Sequence, residues 1–278
     1  MKLNRRTVVR SMSAALAMGT AVVGPGRKAL ADQIRSPATF VLVHGAWHGG
    51  WCWQNVAAIL RSAGHTVYTP TQTGLGERSH LISRDITIDT FVDDVANLIR
   101  WEQLKQVVLV GHSFGGLTIS GVADRMPERL RKLVYLDSLI LEDGQTPFSV
   151  LPKETVAARL KAADESSKGL SLPVPDPKDI GLLLDEDQRF VASRLTPHPL
   201  STYTSPMKLR NPIGNGVPAT YITCSAPSYA PVYKSFALAA SRGWPISELN
   251  TGHVAMVSAP SEVARELMYP TARESFEE

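Results

Sequence analysis

A serine at position 113 stands between two glycines in the pentapeptide Gly111-His112-Ser113-Phe114-Gly115. A serine on a sharp turn between a strand and a helix needs small residues two positions away, because larger side chains would clash with the neighbouring backbone. Four apolar residues, 107–110, precede the pentapeptide, and a helical pattern begins at 116–119. The pattern predicts that Ser113 is a nucleophile; a glycine-rich turn with an idle serine is the alternative.

A serine hydroxyl is a weak nucleophile near neutral pH, so a base has to take its proton and a third group has to orient that base. Histidine commonly serves as this base, and the chain has seven histidines. His253 follows the last predicted strand, where the chain order of nucleophile, acid and histidine places the base. The other six lie in or beside turns, after the first strand or in the insertion described below: His44, His48, His65, His80, His112 and His198. We expect His253 to be the base.

Negative charge develops on a carbonyl oxygen when a serine attacks it, and two preorganised N–H groups stabilise that charge. Phe114, the residue after the nucleophile, is expected to supply one of them. The turn after the first strand, His44-Gly45-Ala46-Trp47, is expected to supply the other from Ala46, because Gly45 lets the backbone approach the substrate. His44-Gly45 could also be an ordinary turn, but its combination with the pentapeptide favours an oxyanion hole.

Short apolar runs and helical patterns alternate along the chain and predict the scaffold for these residues. The runs of strand length lie at 40–43, 67–68, 107–110, 133–136, 220–223 and 246–249. Apolar residues at helical spacing begin at residue 56 and again at 87–89, and a last helical pattern occupies 261–268. The alternation indicates a parallel sheet, because parallel neighbours are joined by crossover helices that cover both faces. The predicted fold class is α/β.

The alternation breaks between residues 141 and 212, where X-Pro pairs are interleaved with helical patches at 154–163 and 185–192. An unstructured loop of this length would be unusual inside a compact domain. We expect residues 141–212 to form a small helical lid insertion, with the core made of residues 32–140 and 213–278.

Four stretches of the sequence resemble one branch of a known superfamily. They are residues 41–51 (Val-Leu-Val-His-Gly-Ala-Trp-His-Gly-Gly-Trp), 64–67 (Gly-His-Thr-Val), 110–113 (Val-Gly-His-Ser) and 252–256 (Gly-His-Val-Ala-Met). Together they are similar to the plant methylesterase and hydroxynitrile-lyase branch of the α/β-hydrolases and its bacterial esterase relatives. The resemblance implies an α/β-hydrolase fold with an eight-stranded, mostly parallel sheet, a Ser-His-acid triad, the two oxyanion donors and no cofactor.

The resemblance also separates two reactions on that scaffold. The lyases carry a threonine at the position of Gly45 and a lysine directly after the catalytic histidine, where this chain has Val254. Hydrolysis is therefore favoured over cyanohydrin cleavage. Dehalogenases and epoxide hydrolases of the superfamily use an aspartate nucleophile, and Ser113 at that position excludes both.

The acid of the triad departs from the family pattern. In the family an aspartate follows the penultimate strand, but the aligned position here is Pro227, and residues 220–247 contain no Asp or Glu. The triad either lacks its usual acid or takes it from another strand.

Asp137 directly follows the apolar run at 133–136, the strand next to the one that precedes Ser113. Its carboxylate should emerge at the same edge of the sheet as the nucleophile. Glu142 and Asp143 are rivals at the entrance of the insertion, and an aspartate that only caps its own turn is the alternative. We expect Asp137 to be the displaced acid.

These residues predict a carboxylesterase-type serine hydrolase that cleaves a small-molecule ester, small or aromatic and apolar, through an acyl-enzyme on Ser113. Trp47 and Trp51 are expected to line the substrate pocket, although aromatic residues near a turn are as often plain core. A lactonase, or an amide or C–C hydrolase, would use the same triad. A non-catalytic hydrolase-fold protein that binds a small molecule is the second class. No metal site is expected.

The composition of the 278 residues, 44% hydrophobic and 20% charged, is typical of a globular protein with a large core. Residues 1–31 hold six of the 29 basic residues and no acidic ones, so the remainder has 23 basic and 26 acidic residues, a net charge of −3. This balance and the lack of a Cys/His finger argue against nucleic acid as a partner. The two cysteines, Cys52 and Cys224, are expected to be free and buried.

The first 31 residues have the layout of a twin-arginine signal peptide. Arg5 and Arg6 precede a mildly apolar run at 12–23, and Ala29-Leu30-Ala31 forms an A-x-A cleavage site. An amphipathic helix or a membrane anchor is the alternative, but the run is shorter than the roughly 20 apolar residues that cross a bilayer. We expect a periplasmic or secreted mature chain from Asp32, without stable membrane insertion.

Overall fold

Each apolar run of the sequence forms one strand of a central parallel sheet. The structure is a computed structural model that describes residues 37–269. Its strands are β1 (Thr39–Val43), β2 (Thr66–Tyr68), β3 (Val107–His112), β4 (Leu130–Leu136), β5 (Ser171–Leu172), β6 (His198–Pro199), β7 (Ala219–Cys224) and β8 (Ile246–Leu249). Six of them form the sheet, in the order β2-β1-β3-β4-β7-β8, and every neighbouring pair is parallel. The predicted α/β class is confirmed.

The main sheet has six strands within residues 37–269, so the expectation of eight is wrong for this part of the chain. Strands β5 and β6 lie in the insertion and pair antiparallel with each other, apart from the sheet. The described chain begins two residues before β1, and no described segment ahead of β1 extends the edge formed by β2.

Helices cover both faces of the sheet. They are α1 (Gln54–Ser62), α2 (Ile88–Trp101), α3 (Gly115–Arg125), α4 (Lys153–Ser167), α5 (Asp185–Ala192), α6 (Ser201–Thr204), α7 (Tyr233–Ser241), α8 (Ala255–Ser258) and α9 (Pro260–Met268). From β1 the chain crosses to β2 at one edge of the sheet, and from β2 it crosses back past β1 to β3. Because such crossovers are right-handed, α1 and α2 lie on opposite faces. Helix α9 packs on α1, and α3 packs on α2.

Helix α2 illustrates how the sequence determines these elements. Thr87 and Thr90 form a reciprocal capping box at its start, which satisfies two backbone N–H groups of the first turn. Its buried side chains recur at helical spacing: Ile88, Phe91, Val92, Val95, Ala96 and Ile99. This stripe packs into the core, and the acidic residues Asp89 and Asp93 on the exposed side pair with Arg125 of α3.

The register of the sheet brings the carboxyl ends of its central strands to one edge. Val43 at the end of β1 pairs with Gly111, and His112 at the end of β3 pairs with Leu136 at the end of β4. Residues that directly follow these strands therefore lie side by side, where ligands bind in open α/β sheets.

The insertion, residues 141–212, contains α4, α5, α6 and the β5–β6 pair. Its predicted helical patches at 154–163 and 185–192 correspond to α4 and α5. The two-residue strands and α6 have no periodicity of their own, so the sequence did not predict them.

Three smaller expectations have different outcomes. Cys52 and Cys224 are free and buried, as predicted. Among the described residues, no helix combines the length and the apolar character that crossing a bilayer requires. The predicted signal peptide, residues 1–31, lies outside the described residues.

Candidate active site

Ser113 lies on the turn between β3 and α3 with a φ of +51°. This is the left-handed region of backbone conformation, which residues other than glycine rarely adopt. Close backbone contacts require the two flanking glycines. A Cβ on Gly111 would lie 2.7 Å from the carbonyl oxygen of Gly115, and a Cβ on Gly115 would lie 2.7 Å from that of His44. This strained turn presents the Ser113 hydroxyl at the carboxyl edge of the sheet.

His253 follows β8 and reaches the serine from the far side of the sheet edge. Its Nε2 lies 2.9 Å from Ser113 Oγ, within hydrogen-bond distance, and its side chain is buried. His112 Nε2–H donates a hydrogen bond of 2.8 Å to the carbonyl oxygen of His253. This hydrogen bond connects the loop of His253 to the turn that carries Ser113.

The insertion packs directly on the loop of His253 through two glycines. A Cβ on Gly252 would clash with the carbonyl oxygen of Gly181, and a Cβ on Gly181 would lie 2.8 Å from the backbone nitrogen of His253. Gly181 also has a φ of +83°. Only glycines allow the two backbones to approach this closely.

Asp137 follows β4, and its carboxylate lies against the other nitrogen of the histidine. Its Oδ2 is 2.6 Å from His253 Nδ1, and its Oδ1 accepts a hydrogen bond of 3.1 Å from the Cys224 N–H at the end of β7. Asp137 is buried and has a φ of +41°. The backbone of the next residue, Ser138, is held on both its N–H and its carbonyl by the Tyr221 hydroxyl.

The rival carboxylates are engaged elsewhere. Glu142 forms an ion pair with Arg242, and Asp143 accepts a hydrogen bond from the Leu209 N–H; both acids are exposed. Of the three carboxylates considered in the sequence, the structure places Asp137 at the histidine.

The predicted oxyanion donors lie on the turns that flank Ser113. A Cβ on Gly45 would lie 2.8 Å from Ser113 Cβ, so the turn that carries Ala46 packs directly on the serine. Within residues 37–269, neither the Ala46 N–H nor the Phe114 N–H donates a hydrogen bond to another group. Both donors therefore remain available for a ligand oxygen.

Four further histidines are buried around the site: His44, His48, His112 and His198. In each, one ring nitrogen is hydrogen-bonded to a backbone group, at Gly45, Ala46, His253 and Trp47 respectively. Burial lowers the pKa of His44 to about 3 and of His48 to about 4, and holds the pKa of His112 and of His198 well below the usual value. They are neutral at pH 7 and fix the turns of the site.

A narrow recess opens beside Ser113. Its walls combine aromatic, apolar and one cationic side chain: Trp47, Leu139, Pro147, Leu151, Arg159, Tyr203, Tyr229, Pro231 and Val232. Trp47, one of the two tryptophans named from the sequence, lines the recess. Trp51 does not, because its ring stacks on His48 and lies edge-on to Phe190.

Sequence reasoning missed most of the residues that line this recess, Arg159 and Tyr229 among them. Arg159 comes from α4 of the insertion, and Tyr229 follows β7 and stacks on the His253 imidazole with a ring-centroid distance of 3.9 Å. The one available signal for Tyr229 was its position, close to where the family carries its acid. In the described chain, no three potential metal-ligating side chains lie close enough together to hold an ion.

Comparison with known families agrees with this geometry. A family model described as "Alpha/beta hydrolase family" matches residues 40–266, which is most of the chain. The chain belongs to the alpha/beta hydrolase family.

The relatives of this hydrolase include esterases. "Carbendazim hydrolyzing esterase" of Nocardioides sp. (strain SG-4G) is 39% identical over 240 residues, 83% of this chain and 98% of that protein. "Methylesterase 2" of Arabidopsis thaliana is 28% identical over 211 residues, 66% of this chain and 76% of that protein. The predicted resemblance is confirmed, and this hydrolase is an enzyme of the carboxylesterase type.

A solved structure is similar to this hydrolase over nearly the same range. It is an extracellular alpha/beta-hydrolase from a Paenibacillus species, described as sharing structural and functional homology with tobacco salicylic acid binding protein 2. It has 25% sequence identity and a TM-score of 0.73, and the match covers 85% of this chain and 100% of that one.

Proposed function

We propose that this hydrolase cleaves a carboxylic ester of a small or aromatic, apolar substrate through an acyl-enzyme on Ser113. The observation that carries the proposal is the continuous contact from Asp137 to His253 to Ser113, with distances of 2.6 and 2.9 Å. A carboxylate, an imidazole and a hydroxyl in this order have the geometry of a nucleophile with an oriented base.

In the first half of the reaction, Ser113 Oγ attacks the ester carbonyl carbon while His253 Nε2 takes its proton. Asp137 accepts the hydrogen bond from Nδ1–H and stabilises the imidazolium that forms. The N–H groups of Ala46 and Phe114 bind the oxyanion. His253 then donates the proton to the departing alkoxide, which leaves as an alcohol and yields the acyl-enzyme.

In the second half, a water molecule attacks the acyl carbon. His253 Nε2 takes a proton from that water, and the same two N–H groups bind the second oxyanion. Collapse of this intermediate breaks the bond to Ser113 Oγ, which recovers its proton from His253. The products are the free acid and the starting enzyme.

Cyanohydrin cleavage is disfavoured by the space around position 45. The lyases of the resembling branch carry a threonine there, but even a single Cβ on Gly45 would lie 2.8 Å from Ser113 Cβ. Val254 also offers no ammonium group beside the histidine. Both observations favour hydrolysis.

We further propose that the insertion acts as a lid over the recess. It contributes Pro147, Leu151, Arg159 and Tyr203 to the walls. Because the insertion lines the site but carries none of its nucleophile, base and acid, its proposed role is to select substrates and exclude water. Residues 1–31 are proposed to direct export by the twin-arginine route, on the motif described above.

Labelling and turnover of the purified protein test the proposal. A fluorophosphonate should label Ser113 in the wild type, and the Ser113→Ala variant should remain unlabelled. The wild type should also hydrolyse esters from a panel of 4-nitrophenyl esters, aromatic methyl esters, carbendazim, lactones and amides. Lack of both labelling and turnover would refute catalysis, whereas preference for lactones or amides would correct the substrate class.

A further inference from the structure

Arg159 is the one cationic side chain that lines the recess beside Ser113 in the described structure. It lies on α4, in the insertion, and also lines an outer recess that adjoins the first. Its guanidinium carbon is 5.9 Å from the ring centroid of Trp47 and 5.5 Å from that of Tyr203. The charge is therefore held against two aromatic rings, at distances at which a cation is attracted to them.

The guanidinium has no counter-ion within residues 37–269. Arg78, Arg125 and Arg242 each form an ion pair with an aspartate or glutamate, whereas Arg159 forms none. Asp179 lines the outer recess with Arg159, but the two are not in ion-pair contact. A half-buried charge without a counter-ion costs free energy, and an anionic ligand would offset that cost.

Two tyrosine hydroxyl groups are the polar neighbours of the Arg159 guanidinium. Burial raises the pKa of Tyr203 and of Tyr229, and the positive charge of Arg159 and its hydrogen bonds to the two hydroxyl groups oppose that rise. A guanidinium has five N–H donors in a planar fork that matches a carboxylate. The two tyrosine hydroxyl groups are neutral, so they do not balance the positive charge of the guanidinium as a carboxylate would.

We propose that Arg159 binds a carboxylate of the substrate, so that this hydrolase prefers monoesters of aromatic dicarboxylic acids. This inference rests on the proposed ester hydrolysis at Ser113. The ester carbonyl meets the nucleophile, the ring packs among Trp47, Tyr203 and Tyr229, and the free carboxylate reaches the guanidinium at the other side of the recess.

Matched substrates test the preference. The monomethyl esters of phthalic, isophthalic and terephthalic acid each carry one carboxylate, ortho, meta or para to the ester. In the matched methyl carbamoylbenzoates a neutral amide of similar shape replaces that carboxylate. For at least one pair, kcat/KM of the wild type should favour the anion by about tenfold to hundredfold, the range of a hydrogen bond to a charged group.

Variants of α4 assign the preference to Arg159. Arg159→Met should reduce the anion-to-amide ratio at least tenfold, chiefly through KM, and Arg159→Lys should retain part of it. Lys161→Met removes the same charge from an exposed residue of the same helix and should leave the ratio unchanged. Thermal unfolding of each variant checks that it is folded.

A binding measurement separates this inference from the proposed function. Ser113→Ala protein should bind at least one of the three monomethyl esters in calorimetry, more weakly at high salt, and Ser113→Ala/Arg159→Met should bind that ester at least tenfold more weakly. Ester turnover with no anion preference would overturn the role of Arg159 and leave the ester hydrolase intact. No turnover and no labelling of Ser113 would refute ester hydrolysis, and the binding comparison would still decide whether Arg159 holds a carboxylate.

Discussion

His112 donates a hydrogen bond from Nε2 to the backbone carbonyl oxygen of His253, across 2.8 Å. One histidine of the site therefore holds the backbone of another. In the sequence His112 was a rival for the role of base, but its buried ring faces the loop of His253. Its position in the serine turn makes it a link between nucleophile and base.

Loss of that link should impair turnover without removing the reacting groups. We expect His112→Ala to lower kcat by about a hundredfold, because a small misplacement of a reacting group has an effect of this size. Fluorophosphonate labelling of Ser113 should be slower, and KM should change less than kcat. His80→Ala, which removes an exposed histidine, is the control. Wild-type kcat in folded His112→Ala would contradict the role.

Asp137→Asn keeps the shape of the side chain and its acceptor for the Cys224 N–H, but removes the charge. We expect the variant to fold normally and kcat to fall by about ten-thousandfold, because the amide would favour the wrong tautomer of His253. Glu142→Gln and Asp143→Asn should each retain most of the activity. Near wild-type turnover by Asp137→Asn would mean that the enzyme functions as a Ser113–His253 dyad.

Gly45→Ala introduces a methyl group that would lie 2.8 Å from Ser113 Cβ. We expect kcat to fall by about a hundredfold, since the oxyanion turn and the nucleophile have to move apart. Gly64→Ala is a useful contrast, because position 64 has a φ of +88° and open space around it. That change should lower the melting temperature and leave kcat unaltered. Equal kcat losses in the two variants would argue against a local effect.

The buried histidines should make the fold sensitive to acid. The folded pKa of His48 is about 4, below its unfolded value of about 6.5, so the unfolded state binds more protons between these values. The stability that neutral His48 contributes is present above pH 6.5 and is lost as the pH falls towards 4, by up to about 1.4 kcal/mol per pH unit. Urea unfolding of His48→Gln should show a shallower pH dependence in that window. Parallel curves for the two proteins would contradict this.

Replacement of Arg5 and Arg6 by lysine tests the proposed export. We expect the double variant to accumulate unprocessed in the cytoplasm, whereas the wild type should be processed to a chain that begins near Asp32. Cell fractionation and N-terminal sequencing measure both outcomes. Continued processing of the variant would show that another route exports the protein.

The sequence predicted the sheet well because its strands are short, continuous and apolar. All six runs, from 40–43 to 246–249, are strands of the main sheet. The positions of Ser113, His253 and Asp137 at strand ends followed from that topology, and the structure brings the three within hydrogen-bond distance. The two further strands, which residues 37–269 do not contain, had been expected from the resemblance alone, without apolar runs of their own.

The walls of the recess were harder to predict because they depend on packing between distant segments. Arg159 lies on a helix of low amphipathicity whose sequence does not indicate which side faces the site. Trp51 was expected at the recess, but its ring stacks on His48 and lies edge-on to Phe190 of the insertion. The sequence does not indicate this contact, because Phe190 is 139 residues further along the chain.

The contact between Gly181 and Gly252 limits how this enzyme can be re-engineered. A lid transplanted from another hydrolase would have to reproduce a glycine opposite Gly252, or its backbone would displace the residue that precedes His253. Wholesale exchange of residues 141–212 is therefore a poor route to new substrates. Point changes on α4 lie away from that junction, so directed evolution of specificity should begin there.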